Sequence, residues 1–246
     1  DSQAVVRLLE QYGVAALNTY FGWHESPVPT NQISVPRGAF VPLAAKVKSW
    51  VNIPVIATNR IPDPILAESI LAEGKADFIG MGRALLADPA LPNKARAGHT
   101  NKIVPCITCS RCLAEVMLAY KDWGKQFSAL CTVNPRLGKE AEREIKLADR
   151  RRKVLVVGGG PAGMEAAIVA ARRGHEVTLW EKGAELGGQL RVASVPPFKG
   201  EITALTDYLI NETRDAGVEV RLNQEVTLLT IEQEQPDVVI LAVGAK

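Results

Sequence analysis

The sequence has no long apolar run and no strong excess of one charge, and both absences narrow what the chain can be. With no stretch of about 18 apolar residues to cross a bilayer, a membrane is not an expected partner. Lysine and arginine number 29 against 27 aspartates and glutamates, a net charge of +2. A polyphosphate backbone would find no broad basic field, so nucleic acid is not an expected partner either. The first residues, DSQAVVRLLEQYGV, carry a charged amphipathic pattern where a secretion signal would carry an apolar core, which makes the cytoplasm the expected compartment. Cysteine is scarce, four in 246 residues, and three of the four crowd into PCITCSRC (105–112). In a reducing compartment clustered thiols are more often metal ligands than disulfide partners.

The first hundred residues repeat helix, apolar strand and loop. AVVRLLEQYG has helical apolar spacing and stops at Gly13, and VAALNTYFGW reads as a strand running into a loop. FVPLAAKVKSWV and IPVIATNRI form the next helix and strand, and DPILAESILAEG and ADFIGMGR the pair after that. Consecutive units of this kind imply a parallel sheet with crossover helices. Their short spacing suits a (β/α)₈ TIM barrel, which needs eight strands, so residues 1–98 read as the C-terminal part of one. The cysteine segment occupies 99–137. GKEAEREIKLADRRRK begins a charged linker with helical character, assigned to 138–152, and 153–246 reads as the N-terminal part of a second, Rossmann-like domain. Both ends read as interruptions, so a piece of a longer enzyme is expected.

In the second domain, VLVVGGGPAGMEAAIVAARRGHEVTLWEK runs strand, Gly-rich turn, helix, strand. Gly158, Gly160 and Gly163 have the G-x-G-x-x-G spacing in the context that gives it meaning, with Ala162 inside the turn. Gly158 would permit the tight turn, Gly160 the approach of a pyrophosphate, and Gly163 close packing of helix on strand. The helix N-terminus would face the phosphates. Glu181 ends the second strand 18 residues after Gly163, where an acid can accept from ribose hydroxyls. The turn alone does not choose between FAD and NAD.

Cys106, Cys109 and Cys112 are spaced C-x₂-C-x₂-C, and Cys131 follows after an 18-residue gap to make a set of four. Four thiolates satisfy a tetrahedral zinc or a [4Fe–4S] cluster. Zinc sites usually present two separated pairs, and three ligands on one loop suit the corners of a cubane better.

Many segments, in order, resemble the old yellow enzyme family. The likeness is to its multidomain iron–sulfur flavoprotein branch, which includes 2,4-dienoyl-CoA reductase, 2-enoate reductase and trimethylamine dehydrogenase. They are LNTYFGWHESPVPT, VPRGAF, IPVIATNRIPDP, ADFIGMGRALLADPALPNKA, CITCSRC, CTVNPR, KVLVVGGGPAGMEAA, ELGGQL and ILAVG. The resemblance implies a barrel holding FMN, a [4Fe–4S] cluster on Cys106, Cys109, Cys112 and Cys131, and a domain binding FAD. ELGGQL and the terminal VVILAVGA also resemble the FAD domains of the flavoprotein disulfide reductase-like family, which sets Gly188 and Gln189 against the flavin nucleotide. Gly82 and Arg83 would hold the FMN phosphate at the C-terminal mouth of the barrel, with Arg60, after Asn59, near the flavin. His24, in GWHES, would polarise the substrate carbonyl or relay a proton. His99 and His175 carry no such role, and neither Tyr12 nor Tyr20 is assigned as an acid.

The implied activity is that of an enzyme passing electrons from NAD(P)H through FAD, the cluster and FMN to an activated alkene of the enoyl or dienoyl type. A small-molecule substrate and NAD(P)H are then the expected partners, with a homo-oligomer left open. Two features pull apart. GWHES points to the reductases, whereas the short C-x₂-C-x₂-C spacing is typical of trimethylamine dehydrogenase. An amine dehydrogenase feeding a carrier protein is therefore the alternative, and a noncatalytic electron-transfer or nucleotide-binding module is an alternative of another class.

Overall fold

The computed structural model describes residues 1–23, 25–121 and 129–245, with 119–121 described by backbone alone. The chain divides into two compact units, 1–138 and 139–246. His24, the expected catalytic residue, lies outside the described residues.

Among the described residues of the first unit the elements are α1 (Ser2–Gln11), β1 (Leu17–Thr19), α2 (Val41–Lys48), β2 (Val55–Ala57), α3 (Pro64–Ala72), β3 (Phe78–Ile79), α4 (Arg83–Ala87), α5 (Leu91–Arg96), a 3₁₀ turn (Thr100–Lys102) and α6 (Arg111–Lys121). The three strands form one parallel sheet in the order β1-β2-β3. The central strand is the most buried, and Val55 and Ala57 are wholly buried. α2 and α3 cover the sheet through Val41, Ala44, Ala67 and Ile70. α3 starts where its sequence says it should: Asp63 accepts from the Leu66 amide at 2.9 Å and Pro64 fills the first turn. Such a cap is worth about 1 kcal/mol.

The second unit contains β4 (Lys153–Val157), α7 (Pro161–Arg172), β5 (Glu176–Trp180), α8 (Gln189–Ala193), α9 (Gly200–Asp215), β6 (Glu219–Arg221), α10 (Leu228–Glu234) and β7 (Val238–Leu241). Its four strands are parallel in the order β6-β5-β4-β7. Numbered along this unit alone, that order is 3-2-1-4, so the winding reverses between β4 and β7. Ligands of open α/β sheets bind beyond the strand C-termini at such a reversal. Residues 154–157 of β4 are buried on both faces, which explains their unbroken apolar run.

The linker differs from expectation. Residues 138–152 contain turns but no helix. Their charged residues leave no apolar stripe to bury, Leu147 is 78% exposed, and so short a helix is marginal without tertiary packing. The strands are shorter than the apolar runs suggest, and α6, α9 and α10 add to the elements expected from periodicity.

Candidate functional site

In the second unit, β4 delivers the chain into the Gly-rich turn at the reversal between β4 and β7. Gly158 has φ +107°, and a Cβ there would stand 2.5 Å from the Ala242 carbonyl oxygen just beyond β7. A Cβ on Gly163 would lie 1.8 Å from the Gly158 carbonyl oxygen, so only glycine lets α7 pack this close to the turn. A Cβ on Gly160 would meet nothing within 4 Å. The three glycines thus do three different jobs: two are forced by packing and one faces open space.

α7 begins at Gly160 with no side-chain cap and with Pro161 in its first turn. Its leading N–H groups are left for an anion. Gly187 donates to the Gly159 carbonyl at 2.8 Å, and a Cβ on Gly188 would stand 3.0 Å from Gly160 Cα. ELGGQL is therefore folded against the turn, with Gln189 opening α8 beside it. Glu181 follows β5 and accepts from the amides of Gly159 at 2.6 Å and Gly183 at 2.7 Å. A carboxylate has about four acceptor positions, so capacity for ribose hydroxyls remains. Ala162 lies in the first turn of α7. Gly159 and Gly187 are additions to the expected set, signalled only by the doubled glycines in the sequence.

In the first unit a cavity of about 590 Å³ opens at the C-terminal ends of β1, β2 and β3. That is the ligand side of a parallel sheet, and the volume falls in the range of small-molecule sites. Asn59 and Arg60 follow β2 with φ of +71° and +56°. Two successive left-handed residues without glycine are uncommon and mark functional turns. The Asn59 side chain holds the turn by donating to the Phe21 carbonyl at 2.7 Å. Arg60 is only 5% exposed. It donates through Nε to the Val35 carbonyl at 2.8 Å and through Nη1 to Thr108 Oγ1 at 2.5 Å. Gly82 leads into α4 after β3, and Arg83 donates to the carbonyls of Thr30 at 2.9 Å and Asn31 at 3.2 Å. Among the described residues these are two of its five N–H donors, which leaves others for a ligand oxyanion. Among the described residues Asn31 Oδ1 is buried on the cavity wall with no donor, an acceptor that a ligand could satisfy. Asn31, Thr108 and Tyr20 all line the cavity, and nothing in the sequence pattern singles them out.

Cys106 and Cys112 line the same cavity, so the cysteine loop and the strand-end arginines share one wall. All four cysteines are free thiols. Cys109 Sγ lies 3.2 Å from Thr132 Oγ1, which brings the Cys131 segment to the loop. Burial pushes the Cys106 thiol above the usual cysteine range, opposed by a hydrogen bond from the Thr108 amide and by the nearby Arg83 guanidinium. Burial likewise raises Cys131, opposed by the amides of Val133 and Asn134. Among the described residues no group of three or more His, Cys, Asp or Glu side chains is spaced to hold a single metal ion. Four thiols are a donor set that an iron–sulfur cluster can use.

Residues 10–102 match the NADH:flavin oxidoreductase / NADH oxidase family, and residues 153–237 match the FAD dependent oxidoreductase family. A metal reductase of Desulforamulus reducens is 44% identical over 100% of this chain and 36% of its own length. A cinnamate reductase of Clostridium sporogenes is 38% identical over 97% of the chain and 35% of its length. Among solved structures, 2-naphthoyl-CoA reductase in complex with 2-naphthoyl-CoA superposes with a TM-score of 0.92 at 33% identity, over 99% of this chain and 37% of that one. The chain thus spans little more than a third of the length of these relatives.

Proposed function

Since the chain belongs to the old yellow enzyme-like iron–sulfur flavoprotein family, we propose that it serves an NAD(P)H-dependent reductase of activated alkenes of the enoyl or dienoyl type. The observation that carries this reading is the shared wall: Cys106 and Cys112 border the same cavity as Arg60 and Arg83. When bound, FAD, [4Fe–4S] and FMN would together convert the two electrons of NAD(P)H into single-electron steps and back into a hydride for the alkene β-carbon.

The chain's own residues have distinct tasks. The uncapped start of α7, with Gly160 open beside it, receives the FAD pyrophosphate, and the remaining lone pairs of Glu181 receive ribose hydroxyls. Gly188 and Gln189 close the other side of that nucleotide. Arg83, following Gly82, neutralises the FMN phosphate with its spare N–H donors, while Arg60 supports the flavin from a buried position. Cys106, Cys109, Cys112 and Cys131 ligate the cluster. His24 donates a hydrogen bond to the substrate carbonyl, drawing electron density from the β-carbon. In this reading 1–98 belongs to the FMN barrel, 99–137 to the cluster segment, 138–152 to the linker and 153–246 to the FAD domain, and the enzyme works in the cytoplasm.

The C-x₂-C-x₂-C spacing favours a second reading, an amine dehydrogenase that sends electrons outward to a carrier. Anaerobic assays of the intact protein separate them. Oxidation of NADH or NADPH on adding cinnamate or an enoyl thioester supports the reductase. Reduction of the flavin by a tertiary or secondary amine, with no response to the alkene, supports the dehydrogenase and overturns the first reading.

A further inference from the structure

The cysteine loop contains two residues whose backbone is unusual for their type. Thr108 has φ +51° and Ser110 has φ +58°. A β-branched threonine seldom enters the left-handed region, because its branched Cβ crowds the neighbouring carbonyl. Such a conformation persists only where surrounding contacts over-determine it. Here the contacts are specific. Thr108 is 5% exposed, and its hydroxyl meets the buried Arg60 guanidinium at 2.5 Å. Ser110 donates its hydroxyl to the Asn31 carbonyl at 2.9 Å, the same carbonyl that accepts from Arg83. Both strained residues between the cysteines are therefore tied to side chains or carbonyls of the flavin-side cavity wall.

Resting on the reading of the two sites above, we propose that Arg60 and Thr108 form a latch that couples the contents of the strand-end cavity to the conformation of the cysteine loop, Arg60 being a positioning residue for Cys106 and Cys109. Thr108 connects the two sides within one residue: its hydroxyl faces Arg60, and in the chain it sits directly before Cys109 and two residues after Cys106. Arg60 is in turn fixed by the Val35 carbonyl and by the left-handed turn after β2. A ligand that orders Arg60 orders Thr108, and through it the loop. Linkage makes this reciprocal at equilibrium: whatever factor a loaded cysteine loop adds to FMN affinity, bound FMN adds to the affinity of the loop for its cluster, and slower iron loss is its expected kinetic sign.

The test uses the intact holoprotein and the variants Thr108→Val, Thr108→Ser and Arg60→Lys, with FAD content as the control for folding. Readouts are the rate of iron loss to a chelator and the FMN dissociation constant of deflavinated protein, measured with and without the cluster. Loss of one buried hydrogen bond to a charged donor corresponds to about tenfold. Thr108→Val is expected to release iron about tenfold faster and to bind FMN about tenfold more weakly only when the cluster is present. Thr108→Ser, which keeps the hydroxyl, should stay within about twofold of the unaltered protein. In Arg60→Lys/Thr108→Val the effect on iron release should not exceed that of the worse single change, because both remove one contact. If Thr108→Val matches Thr108→Ser, or if the two changes add, the latch does not exist. A protein that holds iron and FMN but shows no coupling refutes the latch alone. One that holds neither refutes the functional reading as well.

Discussion

Gly160 and Gly163 sit three residues apart in one turn, yet replacing each with alanine should produce opposite phenotypes. In Gly163→Ala the new methyl would lie 1.8 Å from the Gly158 carbonyl oxygen and 3.0 Å from its carbonyl carbon. These are backbone atoms of the turn and cannot rotate aside, so α7 must retreat from β4 and loosen the contacts of Met164, Ala167 and Ile168, which are all buried. Overpacking of this kind costs about 1–3 kcal/mol and more when backbone must move. Against a total stability of about 5–15 kcal/mol, a loss near 3 kcal/mol lowers the melting temperature of a unit this size by about 10 °C or more. Gly160 has φ −73° and ψ −179°, which alanine adopts freely, and its Cβ would meet nothing. Gly160→Ala should melt as the unaltered protein or slightly higher, since alanine restricts the unfolded chain by about 0.4–1 kcal/mol. Its methyl would nevertheless occupy space beside the uncapped amides, and FAD affinity should fall by about tenfold to a hundredfold as charge-assisted hydrogen bonds are lost. Calorimetry on the FAD-free forms together with FAD titration reads both quantities. If Gly160→Ala binds FAD normally, the pyrophosphate does not lie on this turn. If Gly163→Ala melts unchanged, the close helix–strand packing is not what demands glycine.

Asp88 is buried and accepts from Lys94 Nζ at 2.6 Å and from the amides of Ala90 at 3.0 Å and Val104 at 2.9 Å, holding the segment that leads into the cysteine loop. Asp88→Ala should destabilise the first unit by about 2–3 kcal/mol, because it removes the carboxylate from two amides and from Lys94, which keeps only the Lys102 carbonyl, and denaturant unfolding reads the loss. The Asp77 carboxyl is held below the ordinary aspartate range first by Lys48 and then by the Val55 amide. A depressed pKa adds stability that is complete above the unfolded value near 3.8 and is lost as pH falls through the lower folded value. Asp77→Asn should flatten that acid limb of the stability profile, and an unchanged limb would refute the assignment. Glu181→Gln keeps an acceptor for only one of the two amides it now satisfies at 2.6 and 2.7 Å, so FAD binding should weaken by about tenfold in a titration.

Much of the fold is legible in the amino-acid order, for identifiable reasons. The Gly-rich turn announces itself because strand, glycine spacing and helix all agree, and the packing forces glycine at Gly158 and Gly163 as that spacing implies. The parallel units of residues 1–83 are readable from helical and apolar periodicities, though β3 is only Phe78–Ile79 where ADFIGMGR suggests more. The long helix Gly200–Asp215 is hidden because its buried face includes Thr206, Glu212 and Thr213 as well as leucines. Glu212 is paired with Arg172 of α7, a tertiary contact that no local pattern encodes. The linker misleads the other way: its helix-forming charges lack an apolar face and fold as turns. At the cavity, arginines at strand ends stand out, but Thr108 and Asn31 do not. Thr108 matters through its left-handed backbone, and both through contacts spanning tens of residues, none of which is a property of composition or spacing.

The most direct test of the whole account is anaerobic analysis of iron, acid-labile sulfide and zinc in the intact protein, with flavin extraction from the same sample. The account predicts about four irons and four sulfides per chain together with one FMN and one FAD. Zinc without sulfide, and FAD without FMN, would make CITCSRC a structural clip and contradict the proposed use of FAD, cluster and FMN.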